Sequence, residues 1–442
     1  MLVTNNAARG PETGRNLDPW YSSYADRTKG LAASEVRALF AVASRPEVVS
    51  LAGGSPFVKA LPEELIDSAF RSMMREHGPE ALQYGGGQGI PQIREQVLDI
   101  MALEGITDAS ADDIVTTTGS QHGLDIVSKL FLNPGDVVLA ESPSYVGAIG
   151  TFRAYEADTV HIEMDEHGLI PSALEETLHR LRSECRVVKF LYTIPNFNNP
   201  AGSMMTAERR REILEVCRRE HLLIVEDNPY GLLYYDEQPP HAIRSLDSEN
   251  VVYLGSFSKI LSPGVRVGYV LAPHAIREKM ILAVESSILS PSTFNQWLVN
   301  EYLKQADWKA QIAAYRDIYR ERRDALDAAL REHFPQFVWE KPNGGFFVWL
   351  QLPEQLDAKQ MLPRAVKELV AYTPGTAFYA DGRGQHAMRL AFCTETPERL
   401  ATGVRRLATV INGELDLLET FGGLPMRSRP ESGVIMPPPD IN

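Results

Sequence analysis

The stretch YLGSFSKILSPGVRVGYV, residues 253–270, holds one lysine, Lys259, among serines and apolar residues, with no acid in the stretch. An amine attacks a carbonyl only when it is neutral. Apolar or cationic surroundings lower a lysine's pKa, whereas a carboxylate neighbour would raise it. Ser256, Ser258 and Arg266 lie in the same stretch. Four other short apolar runs end in residues that could work with such an amine. Gly119, Ser120 and Gln121 follow DIVTTT and open a helix, reading either as a cap or as a phosphate site built from free N–H groups and the dipole. Tyr145 follows VVLAESPS and could stack on a planar ring or simply pack. The loop IPNFNNPAG (194–202) follows VVKFLYT and is either a plain turn or a holder of amides. Asp227 closes LLIVE, with Tyr230 three residues on. A carboxylate at the end of so apolar a run is costly to bury unless a donor or cation meets it.

Ligands of open α/β sheets bind at the carboxyl ends of strands, where these residues fall. Between 113 and 290, short β-branched runs alternate with helically spaced segments, which predicts a mostly parallel sheet covered by helices. Strands are expected at DIVTTTG, DVVLAE, TVHIEM, RVVKFLYT, LLIVED, VVYLGSF and VRVGYVLA. Helices are expected over 33–43, 62–78, 171–182, 206–220, 274–290 and 307–333. The C-terminal third, with GGFFVWLQL (344–352) and AMRLAFC (387–393), reads as a separate α+β lobe.

With 442 residues the chain exceeds a single small core. Hydrophobic residues make up 44% and charged residues 23%, a globular mix. The formal net charge of -14 argues against nucleic acid or an anionic membrane surface as partner. Three widely spaced cysteines suit neither a zinc site nor a disulfide framework and point to a reducing compartment, the cytoplasm. The N-terminus lacks the apolar core of a signal peptide, and no run reaches the length of a membrane span.

An amine, a carboxylate, amides, phenols and phosphate donors at five strand ends suit one ligand class, a phosphorylated pyridine aldehyde. The motifs LQYGGGQGIPQIREQV, TTGSQHGLD, ESPSYVGA, NFNNPAG, EDNPYGLLYY, GSFSKILSPGVRVGYV and MRLAF occur in one order across residues 22–415. Together they resemble the fold-type-I pyridoxal-phosphate aminotransferases, most closely the kynurenine/2-aminoadipate branch. The resemblance implies an aspartate-aminotransferase-like fold: a large domain with a mostly parallel seven-stranded sheet, plus a smaller α+β domain. It implies pyridoxal 5'-phosphate as cofactor and Lys259 as the amine that joins its aldehyde and moves the substrate Cα proton. Asp227 would pair with the ring nitrogen, Asn199 and Tyr230 would donate to the phenolic oxygen, and Tyr145 would stack on the ring. Arg266, Ser256, Ser258, Ser120 and Gln121 would hold the phosphate, with Tyr84 reaching across to a second copy, so the active unit is a homodimer. Arg389 and Asn199 would hold the substrate α-carboxylate, and Tyr24 and Arg27 the side chain. Arg389 could instead be a surface arginine, but it interrupts an otherwise apolar strand, where an unpaired charge is costly.

The expected activity is transfer of the amino group of a large neutral, aromatic or 2-aminoadipate-like L-amino acid to 2-oxoglutarate by a ping-pong mechanism. The alternatives are a lyase or synthase using the same cofactor, and a cofactor-binding regulator; for the latter, too few residues precede the resemblance to form a DNA-binding domain. The expected divisions are a flexible tail at 1–20, an N-terminal segment at 21–60, the cofactor domain at 61–300, the small domain at 301–418 and a flexible tail at 419–442.

Overall fold

The computed structural model describes residues 18–31 and 45–422. Seven strands form the central sheet: β1 (Ile114–Thr117), β2 (Val137–Glu141), β3 (Asp158–Ile162), β4 (Val188–Thr193), β5 (Leu223–Asp227), β6 (Val251–Ser256) and β7 (Gly268–Leu271). Their order is β1-β7-β6-β5-β4-β2-β3. The pairs β2–β3, β2–β4, β4–β5 and β5–β6 are parallel, and β7 is antiparallel to both β6 and β1. Alternate residues feed opposite layers, as the two-residue period of a strand requires. Val138, Ala140, Phe190, Tyr192 and Val225 join one apolar cluster; Val137, Leu139, Leu191 and Ile224 join the other.

Eleven helices matter here. They are α1 (Glu63–Ala81), α2 (Pro91–Ala102), α3 (Ser120–Phe131), α4 (Val146–Ala154), α5 (Pro171–Ser183), α6 (Ala207–Arg219), α7 (His274–Ile288), α8 (Thr293–Gln305), α9 (Trp308–His333), α10 (Ala358–Lys367) and α11 (Pro397–Gly422). Strands β8 (Phe347–Gln351), β9 (Thr373–Pro374) and β10 (Ala387–Ala391) make a second, antiparallel sheet in the order β8-β10-β9. Helices α9 and α11 pack on each other.

All seven expected sheet strands form, and the sheet is mostly parallel as the pattern predicts. The C-terminal lobe is less separate than expected. One apolar cluster runs from Val97 of α2 through Tyr230 and Tyr315 to Phe347 and Leu407, so no polar boundary divides the two parts. The helix expected to stop at Gly78 continues to Ala81, but His77 leaves helical geometry (φ -135°, ψ 19°) just before Pro79. Proline lacks an N–H and crowds the preceding turn, so the chain kinks there rather than ending. Helices α2, α8 and α11 are not among the expected elements. The chain breaks between α7 and α8 at Leu289, whose φ is 65°, and the Ser292 hydroxyl then caps α8 by accepting from the Asn295 N–H at 3.3 Å. Residues 300 and 301, the expected division, fall inside α8, which packs on α1. Helix α11 runs past 418 to Gly422. The helix expected over 33–43 and most of both expected tails lie outside the described residues. No helix among the described residues is long and apolar enough to cross a membrane.

Candidate active site

The carboxyl ends of β1, β2, β4, β5 and β6 share one edge of the sheet. Because β7 runs the other way, it is its start that reaches this edge: Gly268 lies opposite both Thr117 and Ser256. That reversal carries Arg266 to the same place. Arg266 takes a left-handed conformation (φ 49°) and donates to the Thr118 carbonyl at 3.0 Å. Two glycines allow the approach. A Cβ on Gly119, whose φ is 77°, would stand 2.5 Å from an Arg266 nitrogen, and one on Gly268 would stand 2.7 Å from the Ser120 amide. A guanidinium thus lies across the start of α3, where the amides of Ser120 and Gln121 have no carbonyl one turn back to serve. Ser256 and Ser258 join this corner, their hydroxyls 2.9 Å apart.

Lys259 follows β6. Its Nζ donates to the Gly54 carbonyl at 3.0 Å and lies 5.8 Å from the centre of the Tyr230 ring and 5.5 Å from that of Phe346. Burial is the main cause that lowers its pKa to about 8; the cations Arg389 and Arg266 push the same way, and Asp227 and Cys393 oppose them. This is the neutral-amine environment that the acid-free stretch implies.

Asp227 ends β5 and is 5% exposed. Its Oδ2 accepts from the Tyr192 hydroxyl at 2.8 Å, while Oδ1 is buried without any hydrogen-bond partner. Burial pushes the carboxyl up to about 6; the Tyr192 hydrogen bond and the Lys259 charge hold it down. A buried acceptor left open in this way is expensive in a bare protein and fits a ligand that brings an N–H.

Arg389 stands mid-strand in β10, opposite Trp349 of β8 and Thr373 of β9, and is 3% exposed. It donates to Asn199 Oδ1 at 2.8 Å, to the Ala52 carbonyl at 2.7 Å and to the Thr373 hydroxyl at 3.3 Å; its Nε has no partner. The rings of Phe347 and Phe378 lie 4.1 and 4.9 Å from the guanidinium. Among the described residues neither Arg389 nor Arg266 nor Lys259 forms an ion pair with a carboxylate. Two guanidiniums with no acid suit two anionic groups on what binds, and the buried aspartate oxygen suits a cationic N–H between them.

Tyr145, at the start of α4, is half-buried, and its hydroxyl meets Gln121 Oε1 at 3.3 Å. The Gln121 side chain turns to Thr151 at 2.7 Å, so only its backbone amide is free to serve a phosphate. Tyr230 is buried against Phe346 and Phe347, with ring centres 5.3 and 6.0 Å away. The structure therefore gathers Ser120, Gln121, Tyr145, Asn199, Asp227, Tyr230, Ser256, Ser258, Lys259, Arg266 and Arg389 at one edge. Tyr84 is 78% exposed and stands outside this cluster in the single chain. Tyr24 and Arg27 are also not brought to it. They are exposed, and the turn Asp26–Gly30 docks on α4, with Arg27 near Tyr155.

Sequence reasoning missed Tyr192, the Phe347–Phe378 pair and Glu141. The Glu141 carboxylate is buried under the 194–202 loop and accepts from Thr193 at 2.6 Å, the Ile194 amide at 2.9 Å and Asn198 at 2.6 Å. Tyr192 carries no signal of its own in the sequence: only the register, which pairs it with Val225 two residues before Asp227, sets phenol and carboxylate on one face of the sheet.

The donor set fits a phosphorylated pyridine aldehyde: guanidinium and helix amides for the phosphate, an open carboxylate oxygen for the ring nitrogen, and Lys259 for the aldehyde. Comparison with known proteins agrees. Residues 47–407 match the model of the family described as aminotransferase class I and II. The aromatic-amino-acid aminotransferase 1 of Thermococcus litoralis is 40% identical over 395 residues, 89% of this chain and 94% of that protein. The 2-aminoadipate transaminase of Thermus thermophilus is 36% identical over 90% of this chain and 99% of its own length. The crystal structure of kynurenine aminotransferase from Pyrococcus horikoshii, in complex with PMP, is similar with a TM-score of 0.84 and 38% identity, covering 89% of this chain and 97% of that one.

Proposed function

Because the chain belongs to the class I and II aminotransferases, enzymes that work with pyridoxal phosphate, we propose that it moves the amino group of a large neutral, aromatic or 2-aminoadipate-like L-amino acid to 2-oxoglutarate. The two half-reactions share one site in ping-pong order. The observation that carries this reading is Arg389: a buried guanidinium without an acid, bonded to Asn199 and flanked by two phenylalanines. It supplies a fork for the α-carboxylate that donor and acceptor have in common. The relatives named for aromatic amino acids and 2-aminoadipate support the choice of donor.

The cofactor, when bound, supplies an aldehyde that takes up the amino group and a ring that draws off the electron pair left by the departing Cα proton. The residues do the rest. Arg266 and the amides of Ser120 and Gln121 bind the phosphate, with the hydroxyls of Ser256 and Ser258. Asp227 Oδ1 holds the proton on the ring nitrogen. Asn199 and Tyr230 donate to the phenolic oxygen, and Tyr145 covers the ring face. Lys259 Nζ, which burial makes neutral as pH rises through about 8, moves the proton from the substrate Cα. Arg389 orients the carboxylate so that the Cα proton faces that amine.

Two copies complete the unit in this reading. Phe70, Met74, Leu82, Tyr84 and Leu289 are exposed apolar side chains that a second copy would cover. Burying them between copies would bring Tyr84 to the neighbour's phosphate. All three cysteines are free, which supports a reducing compartment such as the cytoplasm. The test is a panel of L-amino acids with 2-oxoglutarate, scored by glutamate formed. Tyrosine, phenylalanine, kynurenine or 2-aminoadipate should lead. Strict preference for alanine would overturn the donor class; release of ammonia or a cleaved side chain in place of glutamate would overturn amino transfer.

A further inference from the structure

The hydrogen bond between Tyr192 and Asp227 joins two wholly enclosed side chains. Tyr192 is 0% exposed, and its ring is held edge-on by Phe152, with centres 5.6 Å apart. Its hydroxyl reaches Oδ2 of Asp227 at 2.8 Å and leaves Oδ1 open. A carboxylate with one oxygen tied in this way is held in one plane, so the phenol fixes the direction in which the other oxygen is presented. Other charged or titratable groups bear on Asp227: Lys259 after β6, Tyr145 at the start of α4, Tyr230 after β5 and Glu141 at the end of β2. Of these only Lys259 favours the ionised carboxylate. Burial opposes it, and Glu141 is a second acid in the same enclosed space. Among the described residues the Tyr192 hydroxyl is the one direct donor, and its own pKa is raised well above the usual range, so it remains a donor throughout the working range of pH.

We propose that Tyr192 is a positioning residue for the cofactor: it keeps Asp227 ionised and aims Oδ1 at the ring nitrogen. This rests on the reading of Asp227 as the ring nitrogen's partner. Removing the hydroxyl should raise the pH below which Asp227 is protonated by about one to two pH units, the size expected for a hydrogen bond to a charged group.

The experiment uses full-length apoprotein titrated with pyridoxal 5'-phosphate from pH 5.5 to 9, for wild type, Tyr192→Phe, Asp227→Asn and the double variant, with kcat against pH on the loaded proteins. Tyr192→Phe should bind the cofactor within about twofold of wild type at pH 9 and fall increasingly behind below pH 8, with the acid limb of kcat moved up in step. In the Asp227→Asn background the same change should have no further effect on affinity at any pH. An affinity loss that is the same at every pH, or one that persists undiminished in the Asp227→Asn background, would show that Tyr192 only packs. If Asp227→Asn itself binds and turns over like wild type, the premise fails whatever Tyr192 does, and the proposal falls with it. Should Tyr192→Phe not fold, 3-fluorotyrosine at position 192 keeps the volume and strengthens the donor; the acid limb should then move to lower pH, and an unmoved limb would overturn the proposal.

Discussion

Arg389 and Asn199, 190 positions apart in the chain, are joined by a hydrogen bond of 2.8 Å from guanidinium to side-chain carbonyl. The bond ties the second sheet to the loop that follows β4. In the proposed roles it links the group that grips the substrate to one that holds the cofactor. Losing the arginine therefore removes a charged donor and also leaves Asn199 Oδ1 unserved in a buried place. Arg389→Ala should lower kcat/KM by at least about 10- to 100-fold, the value of one charge-assisted hydrogen bond, with most of the loss in KM. Arg389→Lys should recover only part of this, since an ammonium lacks the planar fork. Steady-state kinetics decide it, and an unchanged KM in Arg389→Ala would place the carboxylate elsewhere.

Lys259→Ala should fold and still take up cofactor through Arg266 and the start of α3, yet lose at least about 10²- to 10⁴-fold in turnover, the range for removing a proton-transfer group. In wild-type protein the amine's pKa of about 8 sets a second expectation. A lysine whose pKa is lowered in the fold becomes neutral, and hence reactive, as pH rises through about 8. The rate of covalent cofactor uptake by the apoprotein should climb through that region and level off above it, as stopped-flow absorbance would show. Borohydride reduction and peptide mapping should place the phosphopyridoxyl mass on the peptide with Lys259.

Asp227 gives a prediction in stability. Its carboxyl moves from 3.8 to about 6 on folding because it is buried, so between about pH 4 and 6 the folded apoprotein holds a proton that the unfolded chain has released. Stability from this group is greatest at low pH and falls as pH rises from about 4 to 6, staying low above that. The cost is roughly 3 kcal/mol. Asp227→Asn carries no charge to bury. Its apoprotein should melt above wild-type apoprotein at pH 8, with the gap closing at pH 4, while its activity falls sharply. Asp227→Glu should keep more activity than Asp227→Asn. Equal melting of the Asp227→Asn and wild-type apoproteins across pH would mean the carboxylate is not strained in the fold.

The strand pattern and its chemistry were legible because both rest on local spacing. Lys259, Asp227 and the 194–202 loop sit where an apolar run stops, and the sheet's parallel strands place those stops together. The arrival of Arg266 depends on β7 running antiparallel, which spacing does not show. Tyr192 reads as part of an apolar run, because a phenol inside a strand looks like core until the neighbouring strand's register sets it beside Asp227. Helix α8 is hidden by the break at Leu289, where a non-glycine residue with positive φ separates two helices. Tyr24 and Arg27 rest on likeness alone, and the turn that carries Arg27 docks on α4.

Tyr84 tests the two-copy unit. Mixing Lys259→Ala with Tyr84→Ala should form hybrid dimers in which one site has both an intact lysine and the neighbour's intact tyrosine. Activity should rise above that of either variant alone after subunit exchange has been confirmed by mass. Exchange without rescue would mean that Tyr84 serves its own chain or no site at all.

The central claim is amino transfer through Lys259, and a half-reaction tests it most directly. Cofactor-loaded enzyme is mixed with an excess of one good donor and no acceptor, and the products are counted. The account predicts one 2-oxo acid and one aminated cofactor per site, no ammonia, and a return to the starting form when 2-oxoglutarate is added. Continued turnover without an acceptor, with ammonia or a cleaved side chain accumulating, would contradict it.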